Sequence, residues 1–273
     1  MAWIGNMFRR RDLFVLMTGV IVVQLLAWLL VDKYMFHPIK GGYQADCPNY
    51  VDVGTNGTRI ACITVGPKHG KAAVIYCHGN AEDATSVYSR FSVLASQGYT
   101  IVSVDYPGYG LSDGTPSESG CYHNAHRLYD WLRERQGFAE NEIYVVGYSI
   151  GSGVATELAA TEKVAGLWLE APFLSAPRVL TRIRLLAVDS FPNCLRIRHV
   201  RCPLVVLHGE DDDIIPVSHG KALFKMANDP KQFVAIPSAG HTDYLDELGA
   251  DRYNQLMLEF LSDRSYRRRD YDK

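Results

Sequence analysis

The sequence predicts an α/β fold, a mostly parallel sheet of about eight strands flanked by helices, on three observations. Short β-branched runs alternate with helical stretches from Asn49 to Leu261, the pattern of strands joined by crossover helices. One strand runs directly into a helix through Gly147-Tyr-Ser-Ile-Gly151, which sets Ser149 at the corner. An aspartate and a histidine, Asp212 and His241, then follow the last two strands. Doubly wound sheets carry their chemistry in loops at those carboxyl ends.

Composition narrows the function. With 47% hydrophobic residues among 273, the chain has enough apolar material for a substantial core. The net charge of -2 leaves no basic excess to neutralise phosphates, so nucleic acid is set aside as a partner. The six cysteines contain no Cys-x-x-Cys pair, which argues against a zinc framework. Cys77 sits in an apolar strand as a small hydrophobe, while Cys194 and Cys202 are near enough in sequence to pair in an oxidising compartment.

In chain order, residues 1–12 are the amino-terminal segment, with Arg9, Arg10 and Arg11 near its end. Residues 13–31, Leu13 to Val31, carry no charge; as a helix they span about 28 Å, close to the hydrocarbon thickness of a bilayer. No small-x-small cleavage site follows before Lys33, so the segment reads as a signal anchor rather than a removed signal peptide. Arginines crowd its amino side, and Lys33 and Lys40 are sparser beyond it. The positive-inside rule therefore puts the amino terminus in the cytoplasm and the bulk of the chain outside, as a single-pass membrane protein. Residues 32–48, with Pro38, Pro48 and Gly41-Gly42, read as a linker.

Residues 49–263 form the predicted domain. Asn49–Val53 and Arg59–Val65 flank a Thr-Asn-Gly turn, an antiparallel hairpin signal. Strands follow at Ala72–Tyr76, Thr100–Val104, Ile143–Val146, Ala165–Leu169, Leu204–His208 and Gln232–Ile236. Between and after them, helices are expected at Ala84–Gln97, Ser117–Arg135, Val154–Ala160, Val217–Ala227 and Asp251–Leu261. Residues 171–201 separate two strands by about thirty positions, long enough for either a crossover helix or a short lid. Residues 264–273 mix Arg and Asp without apolar periodicity and read as a solvated tail.

The strand-to-helix corner forces strained backbone at Ser149, and glycines two residues to either side leave room for it. A serine hydroxyl is a poor nucleophile, so it needs a base, a carboxylate to orient the base and donors for the developing oxyanion. His241, in Ser-Ala-Gly-His-Thr-Asp, suits the base. Asp212 suits the carboxylate, although Asp211 and Asp213 are equally acidic and their spacing also admits a calcium site. The oxyanion donors are expected from the backbone amides of Ile150, after the nucleophile, and Asn80, in Cys77-His-Gly-Asn-Ala-Glu-Asp83 after the third strand. His78 reads as structural, and His123 and His126 as a solvated helix face. No dinucleotide or phosphate-binding loop is present, so neither a cofactor nor a metal is expected.

Four stretches carry a resemblance: His78-Gly-Asn-Ala-Glu82, Asp105-Tyr-Pro-Gly-Tyr-Gly-Leu-Ser-Asp-Gly-Thr-Pro116, Gly147-Tyr-Ser-Ile-Gly151, and His208-Gly-Glu-Asp-Asp-Asp-Ile-Ile-Pro216 with Gly240-His241. Over about Tyr34 to Leu261 the chain resembles the α/β-hydrolase superfamily, in its branch of membrane-anchored, alpha/beta hydrolase domain-containing serine hydrolases. The resemblance implies a Ser149, Asp212, His241 triad and separates Asp212 from its acidic neighbours. It includes esterases and protein depalmitoylases, which implies hydrolysis of acyl esters or thioesters, lipid-like or on an acylated protein. An amidase or peptidase on the same triad, and a non-catalytic binding protein of the same fold, are the alternatives. Kinship of fold does not name a substrate.

Overall fold

The computed structural model describes residues 14–19, 21–22, 35–181 and 189–262. Tyr50–Asp52 (β1) and Ala61–Val65 (β2) form the antiparallel hairpin expected around the Thr-Asn-Gly turn. Arg59 stays out of the sheet, because its amide is 2.8 Å from the Asp113 carboxylate and its carbonyl accepts the Asp113 amide at 3.0 Å. The remaining strands are Ala73–Cys77 (β3), Thr100–Val104 (β4), Ile143–Tyr148 (β5), Gly166–Glu170 (β6), Leu204–Gly209 (β7) and Lys231–Ile236 (β8). All eight join one sheet in the order β1-β2-β4-β3-β5-β6-β7-β8, parallel from β4 onward along that order and antiparallel at β1 and β2.

The helices are Val87–Ser96 (α1), Glu118–Glu134 (α2), Gly151–Thr161 (α3), Ala176–Thr181 (α4), Asn193–Arg196 (α5), Val217–Met226 (α6), Tyr244–Leu248 (α7) and Ala250–Ser262 (α8). Strands β3 to β7 are buried at every residue, as the central strands of a sheet covered on both sides must be. One face packs Ile75, Val145 and Leu169 with Leu128, Val154 and Leu158 of α2 and α3; the other packs Val74, Val146 and Trp168 with Phe91, Met257 and Phe260 of α1 and α8. Helix α3 begins at Gly151, three residues before the composition suggests. Its first turn contains Gly151 and Gly153, whose poor helix propensity hides it in sequence.

Residues 171–201 behave at both ends as a crossover: Phe173, Phe191, Cys194 and Ile197 are buried, and α5 packs against α3. The centre of the candidate lid, residues 182–188, lies outside the described residues. No disulfide joins Cys194 to Cys202, so the pairing entertained from sequence is not formed. Of the expected membrane segment 13–31, residues 14–19 and 21–22 are helical and exposed and the rest lie outside the described residues. Among the described residues no helix is long and apolar enough to cross a membrane. The predicted segments 1–12 and 264–273 also lie outside them.

Candidate active site

Strand β5 ends at Tyr148 and α3 starts at Gly151, so Ser149 turns the corner with φ of 53°, a left-handed value that costs a non-glycine residue strain. The flanking glycines are there for space. A Cβ on Gly147 would lie 2.5 Å from the Gly151 carbonyl O, and one on Gly151 would lie 2.0 Å from the Cys77 carbonyl O. The Ser149 amide is fixed by the Glu170 carbonyl at 3.0 Å, which ties the corner to the end of β6.

His241 lies in the loop after β8 and places Nε2 3.0 Å from Ser149 Oγ, while its Nδ1 is 2.8 Å from Asp212 Oδ2. Asp212 is buried in the loop after β7, whereas Asp211 and Asp213 are exposed. Its Oδ1 accepts the amides of Ile214 at 3.0 Å and Ile215 at 2.7 Å. Burial pushes this carboxyl up, but hydrogen bonds from His208, His241 and the Ile215 amide outweigh it and hold Asp212 well below the usual carboxylate range. An ionised Asp212 accepts from Nδ1–H, which leaves the lone pair of Nε2 facing the serine hydroxyl.

The supports around these three were not evident from sequence. His208, the last but one residue of β7, has Nε2 2.7 Å from the Ile215 carbonyl O, so that nitrogen carries the proton. The same atom stands 3.4 Å from Asp212 Oδ2, placing a second imidazole against the carboxylate. The Tyr148 ring stacks on the His241 ring at 5.4 Å, and its hydroxyl donates to the His241 carbonyl at 3.0 Å. Behind Tyr148 lies a buried ionic cluster. Glu170, fully buried at the end of β6, accepts from Trp168 Nε1 at 2.9 Å, from the hydroxyls of Tyr244 and Tyr253 at 2.7 Å each, and from Arg90. Burial opposes the charge of Arg90, and the groups around it, Glu170 foremost, together outweigh that penalty, so the guanidinium stays ionised between the Tyr76, Tyr148 and Tyr244 rings. Glu170 therefore holds the serine through its backbone and the histidine loop through its side chain. The one sequence signal was a carboxylate ending the apolar run Gly-Leu-Trp-Leu-Glu.

Asn80 and Ile150 stand where the sequence reading put them, in the loop after β3 and at the start of α3. No described residue accepts a hydrogen bond from either backbone amide; Ile150 lies at a helix start, where such unpaired N–H groups can bind a negative oxygen. His78 is structural as expected: fully buried, with Nδ1 2.8 Å from the Gly79 carbonyl and its ring 4.2 Å from that of Tyr106. His126 lies between Glu157 at 3.0 Å and Glu162 at 3.2 Å, and His123 is exposed. Among the described residues no three His, Cys, Asp or Glu side chains are arranged to hold a metal ion.

Comparison with known proteins agrees with this architecture. Residues 72–195 match the family described as the alpha/beta hydrolase fold. The chain is 34% identical over 212 residues to the human alpha/beta hydrolase domain-containing protein 17B, covering 76% of this chain and 73% of that one. Among solved structures, Est1E of Butyrivibrio proteoclasticus with bound ferulic acid superposes with a TM-score of 0.65 at 18% identity, covering 78% of this chain and 100% of that one. An esterase of Exiguobacterium antarcticum gives 0.60 at 16%, covering 79% and 99%. At these identities the superpositions speak for the fold alone.

Proposed function

Since this chain belongs to the alpha/beta hydrolase superfamily, we propose that it is a serine hydrolase that cleaves carboxylic ester or thioester bonds of acyl substrates through an acyl-enzyme. The observation that carries the reading is the unbroken line from Ser149 Oγ to His241 Nε2, and from Nδ1 to Asp212 Oδ2, at 3.0 and 2.8 Å. Ser149 attacks the acyl carbon while His241 takes its proton, and Asp212 stabilises the resulting imidazolium. The amides of Ile150 and Asn80 hold the oxyanion, a contribution of about 3 kcal/mol per donor in comparable sites. The imidazolium then protonates the leaving alcohol or thiol. Water, activated by the same ring, releases the acid and restores the serine.

The apolar stretch 13–31 supports a further part of the proposal, that the chain is anchored in a membrane with its amino terminus cytoplasmic and the domain outside. An anchored domain meets amphiphilic acyl groups, lipid-like or on acylated proteins, at raised local concentration.

The test is direct. A fluorophosphonate probe is expected to label the wild type and not Ser149→Ala, and an ester and thioester panel is expected to be hydrolysed by the wild type alone. Equal labelling of both proteins, or faster turnover of matched amides than esters, would overturn the assignment. Activity fusions after Lys273 that report cytoplasm would reverse the orientation.

A further inference from the structure

We propose that the segment just before the domain, residues 35–40, is a clasp that positions the oxyanion loop, and not only a tether. The inference rests on the hydrolase reading above, because it concerns the donor that Asn80 supplies. The side chain of Asn80 is saturated, and mostly by this segment. Its Nδ2 donates to the Met35 carbonyl at 2.7 Å and lies 3.0 Å from His37 Nδ1; its Oδ1 accepts from the His37 amide at 2.9 Å and from the Tyr109 hydroxyl at 2.6 Å. A carboxamide has two donors and two lone pairs, and all four are engaged.

The residue between those contacts is the anchor of the clasp. Phe36 is 6% exposed and sits edge-on to Tyr109 at 6.4 Å and to Phe191 at 6.1 Å. Phe191 in turn covers α3, where a Cβ on Gly153 would lie 2.4 Å from its ring. Phe36 thus packs on the loop after β4 and on Phe191, which covers the helix behind Ser149. Three residues past Phe36, the Gly110 amide donates to the Ile39 carbonyl at 2.8 Å, and Lys40 pairs with Gly110 as a parallel bridge. A spacer has no need of such contacts, since loops that only connect run solvated over the surface.

The consequence is catalytic. The Asn80 amide has to meet the oxyanion within a few tenths of an ångström, and the fixed side chain of the same residue sets where that amide points. Met35, Phe36 and His37 are positioning residues that act through Asn80. Because they adjoin the apolar stretch ending at Val31, whatever holds that stretch also holds one wall of the site.

The experiment uses the full chain with Phe36→Ala, Tyr109→Phe and, as a control outside the segment, Lys68→Ala at an exposed position before β3. Phe36→Ala is expected to lower kcat for an ester about 10- to 100-fold with KM changed by less than about threefold, since a misplaced oxyanion donor acts in the transition state. Tyr109→Phe, which removes one hydroxyl, is expected to cost a few-fold in kcat, and Lys68→Ala to match the wild type. Hydrogen exchange over residues 78–85 is expected to rise in Phe36→Ala, and to rise equally when Ser149→Ala is added. Unchanged kcat and unchanged exchange in both Phe36→Ala and Tyr109→Phe would overturn the clasp and leave the hydrolase standing. A wild type that cleaves no ester while the exchange response is seen would overturn the hydrolase and leave the clasp. Should Phe36→Ala fail to fold, Tyr109→Phe alone decides.

Discussion

Asp105 and Asp212 both follow strands of the same sheet, both are buried, and both stand near a histidine, yet their surroundings differ. Asp105, after β4, accepts from the Tyr43 hydroxyl, from the Ala84 amide at 2.8 Å and from the Leu111 amide at 3.3 Å, with His78 Nε2 3.7 Å away. Its histidine is fully enclosed, held by the Gly79 carbonyl, and reaches no serine. Asp212 has two amides on one oxygen and His241 on the other, and His241 carries the contact on to a half-buried hydroxyl. The ingredients are alike. Under the proposed function, what separates the structural pair from the chemical one is whether the second nitrogen of the ring faces a group that can react.

The largest expected effect breaks this contrast in catalysis. Asp212→Asn is expected to lower kcat about 10⁴-fold, the usual result when the carboxylate of such a triad becomes an amide and the imidazole is held in the wrong tautomer. The matching change, Asp105→Asn, is expected to leave kcat of the folded fraction within about fivefold. Steady-state kinetics with active sites titrated by a fluorophosphonate probe check both. Comparable losses in the two variants would mean that Asp105 takes part in the chemistry and that the contrast drawn here is false.

Stability is expected to invert the ranking. Asp105 receives three hydrogen bonds that tie the loops at Tyr43, Ala84 and Leu111 to the end of β4. An amide nitrogen in place of one oxygen would face donors with another donor, at a cost of about 1 to 3 kcal/mol for the buried group left unsatisfied. Asp212→Asn keeps an oxygen for Ile214 and Ile215 and is expected to cost less. Denaturant unfolding at neutral pH measures the difference, and a larger loss in Asp212→Asn would break the comparison.

The same contrast explains which parts could be read from sequence. Ser149 and His241 were legible because a tight strand-to-helix corner and a post-strand histidine are local patterns. Asp212 was separable from Asp211 and Asp213 only by resemblance. The physical distinction is that its side chain alone of the three is buried, taking two amides of its own loop, and no local sequence property reports that. Asp105 was legible as part of a motif but not as a hub, since its donors come from residues 43, 84 and 111. The Arg90–Glu170 pair joins positions 80 apart in sequence, and its tyrosines come from α7 and α8. The parallel strands were legible from alternation, yet the placement of β4 between β2 and β3 was not, because strand order depends on how crossovers fold back. Residues 35–40 read as a linker from their proline and glycine neighbours; composition is silent on where a linker docks.

The smallest expected effect is the sharpest, because it concerns sign. In Asp212 the folded-state pKa lies below the unfolded value of about 4. Between the two the folded protein binds fewer protons than the unfolded chain, so this residue contributes stability that is complete above about pH 5 and is lost as pH falls below 4. In Asp105 burial raises the carboxyl and wins over the lowering by His78, by the Tyr43 hydrogen bond and by the Ala84 amide. From about pH 4 upward the folded form then holds the extra proton, so stability from this residue declines as pH rises toward its folded value. Each slope is at most about 1.4 kcal/mol per pH unit. Unfolding free energies of the wild type minus Asp212→Asn should therefore shrink on acidification from pH 5 to pH 3. The wild type minus Asp105→Asn should instead shrink as pH rises from 4. If both differences move in the same direction, one of the two carboxyls carries the opposite charge to the one its surroundings assign, and the division into a chemical and a structural aspartate fails at its electrostatic root.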